Sequence, residues 1–197
     1  SGGNEMTRLV WGIGINDRTY PTEVGGVIVK SYDVWKSMLQ RCGSETYQAI
    51  QPTYVGCSVS EQFRHYRTFK EWYDVQAGAN VEDFALDKDL LIKGNKLYSA
   101  ETCVLIPKVI NNLFIKRNAA RGQLPIGVSK NGNRFRARIK KEGKLYSIGT
   151  YDTPELAFAA YKEAKEAHIK EMADKYKDVI DPRAYAAMYI YNVEIAD

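Results

Sequence analysis

From Tyr32 to Gly43 the residues Tyr32, Trp35, Met38, Leu39 and Cys42 recur at intervals of three and four. That spacing gathers them on one face of an α-helix, which Gly43 is placed to end. A second stretch, SEQFRHYRTFKEWYDVQAG from Ser60 to Gly78, sets Phe63, Tyr66, Phe69, Trp72 and Tyr73 mostly on one helical face. Ser60 would cap this helix and Gly78 stop it, and a stripe of aromatics at helical spacing is read as core rather than as a stacking platform for bases. LVWGIGI, residues 9–15, is rich in β-branched and aromatic residues and predicts a strand. Turn chemistry follows at Asn16-Asp17, Pro21 and Gly25-Gly26, before a short strand in VIVK.

From residue 126 the period shortens to two. IGVSK, RFRARIK and KLYSIGT read as three short strands separated by Asn-Gly-Asn and Glu-Gly, both hairpin signals. A helix opens at Asp152-Thr153-Pro154-Glu155, where a capping residue, a first-turn proline and an early acid coincide, and runs at least to Met172. PRAYAAMYIYNVEI forms a closing amphipathic stretch. Before this half lie LDKDLLIKGNKLYSAETCVLIP, a short helix in PKVINNLF, and IKRNAARGQLP, whose basic and small residues suit a linker. The fold class expected is α+β, with a first domain at residues 1–115, a basic linker at 116–125 and a second domain at 126–197.

With 197 residues, 45% hydrophobic and 26% charged, the chain is long enough to bury a full core. No apolar run approaches the roughly 20 residues that span a bilayer, so no membrane partner is expected. The start shows no signal-peptide arrangement, which predicts a cytoplasmic protein. Cys42, Cys57 and Cys103 are odd in number and form no CxxC pair, so they are read as buried thiols of a reducing compartment, in preference to a zinc site shared with His65. The net charge is only +4, yet Lys116 to Thr150 holds ten lysines and arginines against one acid, Glu142. Charge concentrated in this way is the footprint of a polyanion-binding module.

Alternation along RFRARIK sends Phe135, Ala137 and Ile139 to one side and Arg134, Arg136, Arg138 and Lys140 to the other. The apolar side can meet the helix face of Leu156, Ala157, Ala160, Tyr161 and Ala164, while the other side holds like charges together unless a polyanion neutralises them. A narrow ribbon of this kind fits the major groove of duplex DNA, where arginine bonds guanine O6 and N7. It fits the deep, narrow groove of duplex RNA less well. The bland alternative is a solvated basic sheet face.

The order Gly127-Val128, basic strand, Gly143-Lys144, Gly149-Thr150-Tyr151-Asp152-Thr153 and alanine-rich helix resembles the APETALA-type DNA-binding domain of plant ethylene-response factors, which also occurs on phage and mobile-element endonucleases. The resemblance covers about a quarter of the chain. It implies a three-stranded antiparallel sheet packed on a helix, with double-stranded DNA as partner. DNA-facing roles would fall to Arg134, Arg136 and Arg138, with Lys130, Lys140, Lys144 and Tyr146. The tryptophans often present on the plant sheet are missing here, which leaves base preference open. Lys116, Arg117 and Arg121 would track phosphates beside it.

The first domain, through YDVWKSMLQRC, PTYVGCSV, LDKDLLIKGNKLYSAETCVLIP and INNLF, is similar to phage HNH-type, homing-like endonucleases. In that family a ββα unit supplies an Asp-His pair from its first strand, the aspartate on a divalent metal and the histidine as general base, and an asparagine nearer the helix completes the site. The resemblance therefore implies Asp87 as metal ligand and a phage protein hydrolysing phosphodiesters with Mg2+ or Mn2+. Lys88 stands in the histidine's place and Thr102 where an asparagine often lies. A lysine with an ordinary pKa near 10.4 is a poor base, so Lys88 would stabilise phosphate charge instead. Asp89 or Asn95 would support the metal, and Asp89, Asn95 and Glu101 are the candidates for further ligands or a substitute base. The alternatives are that Asp87, Lys88 and Asp89 are turn-flanking charges with Gly94-Asn95 as a hairpin turn, and that the chain is a non-catalytic DNA-binding regulator or accessory protein on a degenerate HNH scaffold.

Overall fold

The expected first helix forms as Lys30–Gly43 (α1), and Trp35, Met38 and Leu39 on its inner face are fully buried. A minimal hairpin precedes it, Glu23–Val24 (β1) with Val27–Ile28 (β2) around the Gly25-Gly26 turn. The structure, a computed structural model, describes residues 8–116 and 122–197. They form a mixed α+β fold that divides into two compact units, one through Pro107 with Val179–Ala184, the other Lys108–Asp178 with Tyr185–Asp197. The division thus falls at Pro107/Lys108, ahead of the expected linker at 116–125. Ile110, fully buried, and Phe114, whose ring lies 4.7 Å from that of Tyr191, belong to the second unit.

In the first unit, α2 (Glu45–Ile50) follows α1, capped by the Ser44 side chain, which accepts from the Tyr47 amide. Two expectations fail here for physical reasons. Residues 9–15 do not form a strand. Val10 and Gly14 close a tight turn in which Trp11 (φ 52°) and Gly12 (φ 71°) take left-handed conformations. The Trp11 carbonyl rests against Gly43, where any side chain would collide with it. The aromatic helix is also interrupted. Ser60 caps α3 (Glu61–Arg64) as expected, but His65 turns extended before α4 (Tyr66–Tyr73) begins. The cause lies 50 residues away in sequence: Ile15 donates to the Arg64 carbonyl at 2.7 Å and accepts from the Tyr66 amide at 3.0 Å, so His65 serves as a bridge. The aromatic stripe is core, as expected. Phe63, Tyr66 and Phe69 are fully buried against Trp35, whose indole donates to the Phe63 carbonyl at 2.8 Å.

Phe84–Asp87 (β4) pairs antiparallel with Val104–Pro107 (β6), register Asp87 to Val104. Leu97–Tyr98 (β5) does not pair with β4. It runs parallel to Ser58–Val59 (β3), so Gly94-Asn95 is a loop turn and not the tip of a hairpin. α5 (Lys108–Asn111) follows β6 directly but is a single turn and lies in the second unit, so the two strands and helix of the expected ββα arrangement do not fall in one unit.

The second unit is a three-stranded antiparallel sheet, Val128–Asn131 (β7), Arg134–Lys141 (β8) and Lys144–Tyr151 (β9), in the order β7-β8-β9. Glu142 (φ 49°) and Gly143 (φ 82°) supply the two left-handed residues that a tight hairpin matched to strand twist requires. A bulge between Ala137 and Arg138 shifts the β8–β9 register. α6 (Pro154–Tyr176) opens on Thr153, whose hydroxyl accepts from the Leu156 amide at 3.2 Å, and buries Ala157, Phe158 and Tyr161. The closing helix is α7 (Pro182–Tyr189), whose residues 182–184 are counted with the first unit and the rest with the second. Among the described residues no helix is long and apolar enough to cross a membrane.

Gly127 is the tightest joint between sheet and helix. Its φ is +76°, and a Cβ there would lie 2.1 Å from the Tyr161 ring. Gly127→Ala is expected to destabilise the second unit by about 2–4 kcal/mol, combining left-handed strain with overpacking, which a lowered urea midpoint would report.

Candidate nucleic-acid interface and candidate metal centre

Directly paired residues of antiparallel strands project to the same side of a sheet, so the register sorts the cations. Ala137 and Ile139 are buried, and Phe135, Ala137 and Ile139 pair with Tyr151, Gly149 and Tyr146. This is the side that receives α6. Arg134, Arg136, Arg138 and Lys140 alternate to the opposite side, where Arg136 pairs with Ser129 and Thr150, Arg138 with Ser147 and Lys140 with Leu145. Of the four, Arg134 is neutralised, its Nε 3.0 Å from Asp152 and its guanidinium also donating to the Thr150 carbonyl. Among the described residues, Arg136, Arg138 and Lys140 have no carboxylate within ion-pair distance.

Three expected DNA contacts do not share that side. Lys130 pairs with Phe135, Lys144 with Lys141 and Tyr146 with Ile139, which assigns all three to the helix-facing side, where they are exposed at its rim. Lys116 is tied to Asp197 at 3.2 Å. Arg117 and Arg121 lie outside the described residues.

In the first unit, Asp87 ends β4 with its side chain only 8% exposed. Its Oδ2 accepts the amides of Asp89 at 3.1 Å and Leu90 at 2.7 Å, which folds the chain sharply back after the strand. Burial, followed by the charge of Asp89, pushes the Asp87 carboxyl up to about 7 from the ordinary 3.8.

Lys88 points inward. It is 7% exposed, with its ammonium 5.6 Å from the Tyr98 ring centroid, 5.9 Å from that of Tyr54 and 3.4 Å from Asp89 Oδ2. Arg41 lies over the other part of this box, 5.6 Å from the Tyr54 ring and donating to the Tyr98 hydroxyl at 3.4 Å. The expected outward role of Lys88 at a phosphate is therefore not what this geometry offers: the cation is stored between aromatic faces and balanced by Asp89. Tyr54, Tyr98 and Arg41 escaped the sequence reading because nothing local marks them; Arg41 and Tyr98 are 57 residues apart.

Asn95 is engaged in loop closure. Its side-chain amide donates to the carbonyls of Lys88 at 2.7 Å and Leu97 at 2.8 Å, and its oxygen accepts from the Leu97 amide at 3.3 Å. It fixes the Asp87–Asp89 turn rather than entering it. Asn95→Ala is expected to cost about 1–2 kcal/mol, since the Lys88 carbonyl loses its side-chain donor while the Leu97 carbonyl keeps that of Thr102, and to accelerate amide exchange from Lys88 to Leu97. Thr102, in the place of the family's asparagine, bonds Ser99 Oγ and the Leu97 carbonyl, both at 2.8 Å.

His65 sits on the surface beside Glu61 at 3.3 Å, and His168 belongs to α6 of the other unit. Cys57 and Cys103 are buried and Cys42 half-buried, all as free thiols, with burial pushing Cys42 and Cys103 up to about 12. Among the described residues no three His, Cys, Asp or Glu side chains group as a metal cage. Comparison of the chain with known protein families, curated proteins and solved structures finds no match.

Proposed function

We propose that the chain binds duplex DNA through the arginine side of its three-stranded sheet and carries, at Asp87 and Asp89, a divergent HNH-type site for metal-assisted phosphodiester hydrolysis. The observation that carries the first half is the one-sided row of Arg136, Arg138 and Lys140, cations without carboxylate partners among the described residues, on a sheet whose other side is taken by α6. Such a row is electrostatically incomplete until phosphates or base edges meet it. Salt dependence tests it. Affinity for a mixed-sequence duplex should fall on a log–log plot with a slope of about −3 to −5 as salt rises, and a flat response would remove the reading.

For the second half, Asp87 and Asp89 supply two hard oxygen donors at one turn, Asp87 driven towards protonation by burial first and by the charge of Asp89 second. Two such donors fit Mg2+ or Mn2+ that keeps several waters. When bound, the ion would supply charge stabilisation at the scissile phosphate and its leaving oxygen. Asp87 and Asp89 would hold it, Asn95 would fix their turn, and Lys88 would balance Asp89 from behind.

A second reading, a DNA-binding regulator or accessory protein without cleavage, is favoured by one specific feature. The position that a histidine base would take is filled by a lysine enclosed by Tyr54 and Tyr98. Incubation with supercoiled plasmid and Mg2+ or Mn2+ separates the readings: nicked or linear product supports the nuclease, and intact plasmid under saturating binding supports the regulator.

A further inference from the structure

On the arginine side of the sheet, the outer strands contribute Ser129 and Asn131 from β7 and Leu145, Ser147 and Thr150 from β9. All are small or polar except Leu145, which is 59% exposed and is the direct partner of Lys140. A leucine exposed on a protein surface is ordinary. The company of this one is not. α6 takes the opposite side, so Leu145 buries nothing against the helix, and the Glu142-Gly143 turn pins it across from Lys140 and diagonal to Arg138.

We propose that Leu145 is a specificity-determining residue that packs on the C5-methyl group of a thymine in the major groove, beside bases or phosphates held by Arg138 and Lys140. The inference rests on the DNA-binding reading above. Its chemistry is that of the groove itself. Thymine is distinguished there by an acceptor and a methyl group, and the methyl is recognised only by an apolar contact. Arginines can select guanine and leave an A·T pair unread. Leu145 supplies the apolar atom that a row of cations cannot, at a cross-strand spacing of about 5 Å from Lys140.

The test uses the full chain and a randomised duplex pool. A tight-binding duplex is enriched and resynthesised with each thymine replaced in turn by uracil, which removes the methyl and nothing else. Wild type should lose about fourfold in affinity at one or two positions, the worth of roughly one buried methyl. Leu145→Ala should bind the thymine and uracil duplexes equally, and Leu145→Met should keep most of the difference. Uracil tolerated at every position by wild type, a selected site without thymine, or a penalty that survives in Leu145→Ala would each overturn the inference while leaving DNA binding intact. Failure to enrich any duplex would instead remove the DNA-binding reading, and the role of Leu145 with it.

Discussion

Arg136→Ala combined with Arg138→Ala is expected to weaken duplex binding by about 100- to 1,000-fold near physiological salt, since a good bidentate contact contributes about 1–3 kcal/mol. The log–log salt dependence should also flatten, by about 0.9 for each phosphate that the variant no longer neutralises. Folding should be nearly unaffected, because both residues project away from α6 and have no ion-pair partner among the described residues to leave behind. Arg134→Ala should do less, its guanidinium already being matched to Asp152 at 3.0 Å. The register sharpens the experiment. Lys130 and Lys144 pair with Phe135 and Lys141 on the helix-facing side, so replacing them should cost little affinity. A gel shift in which the lysine pair matters and the arginine pair does not would move the interface to the wrong side of the sheet and defeat the assignment.

That distinction was available in the sequence but needs one more step than alternation alone. A two-residue turn at Glu142-Gly143 forces Lys141 opposite Lys144, and counting back from it puts Tyr146 beside Ile139 and Leu145 beside Lys140. The strands, their turns, the Thr153 and Ser60 caps and the buried aromatic stripe are legible because each is written within a few residues. The failures share a different origin. The break at His65 is made by Ile15, the turn at Trp11 by its seat on Gly43, and the box around Lys88 by Arg41, Tyr54 and Tyr98. These are contacts between distant segments, and no local period encodes them. Tertiary pairing overrides propensity where the two compete, as at LVWGIGI, whose β-branched residues end in a turn.

Asp87 carries the other large effect, and its direction with pH is fixed by burial. Its folded pKa is raised to about 7 from 3.8, so between those values the folded chain holds a proton that the unfolded chain has lost. Stability attributable to this group is therefore present at low pH and lost as pH rises through about 7, by about 2–4 kcal/mol. Asp87→Asn keeps an oxygen to accept the Asp89 and Leu90 amides while removing the charge. It should match wild type only below about pH 4, the unfolded carboxyl's own range, and exceed it in thermal midpoint by a margin that grows up to pH 8 in chelator. If Asp87 helps to hold the proposed ion, millimolar Mn2+ should raise the wild-type midpoint at pH 8, leave it little changed at pH 5, and do nothing for Asp87→Asn, because the ion would compete with the proton for the Asp87 carboxyl. The same substitution should abolish plasmid cleavage with DNA affinity retained. If Mn2+ shifts the variant as much as wild type, the ion is bound elsewhere, and if the variant still cuts, Asp87 does not hold the catalytic metal.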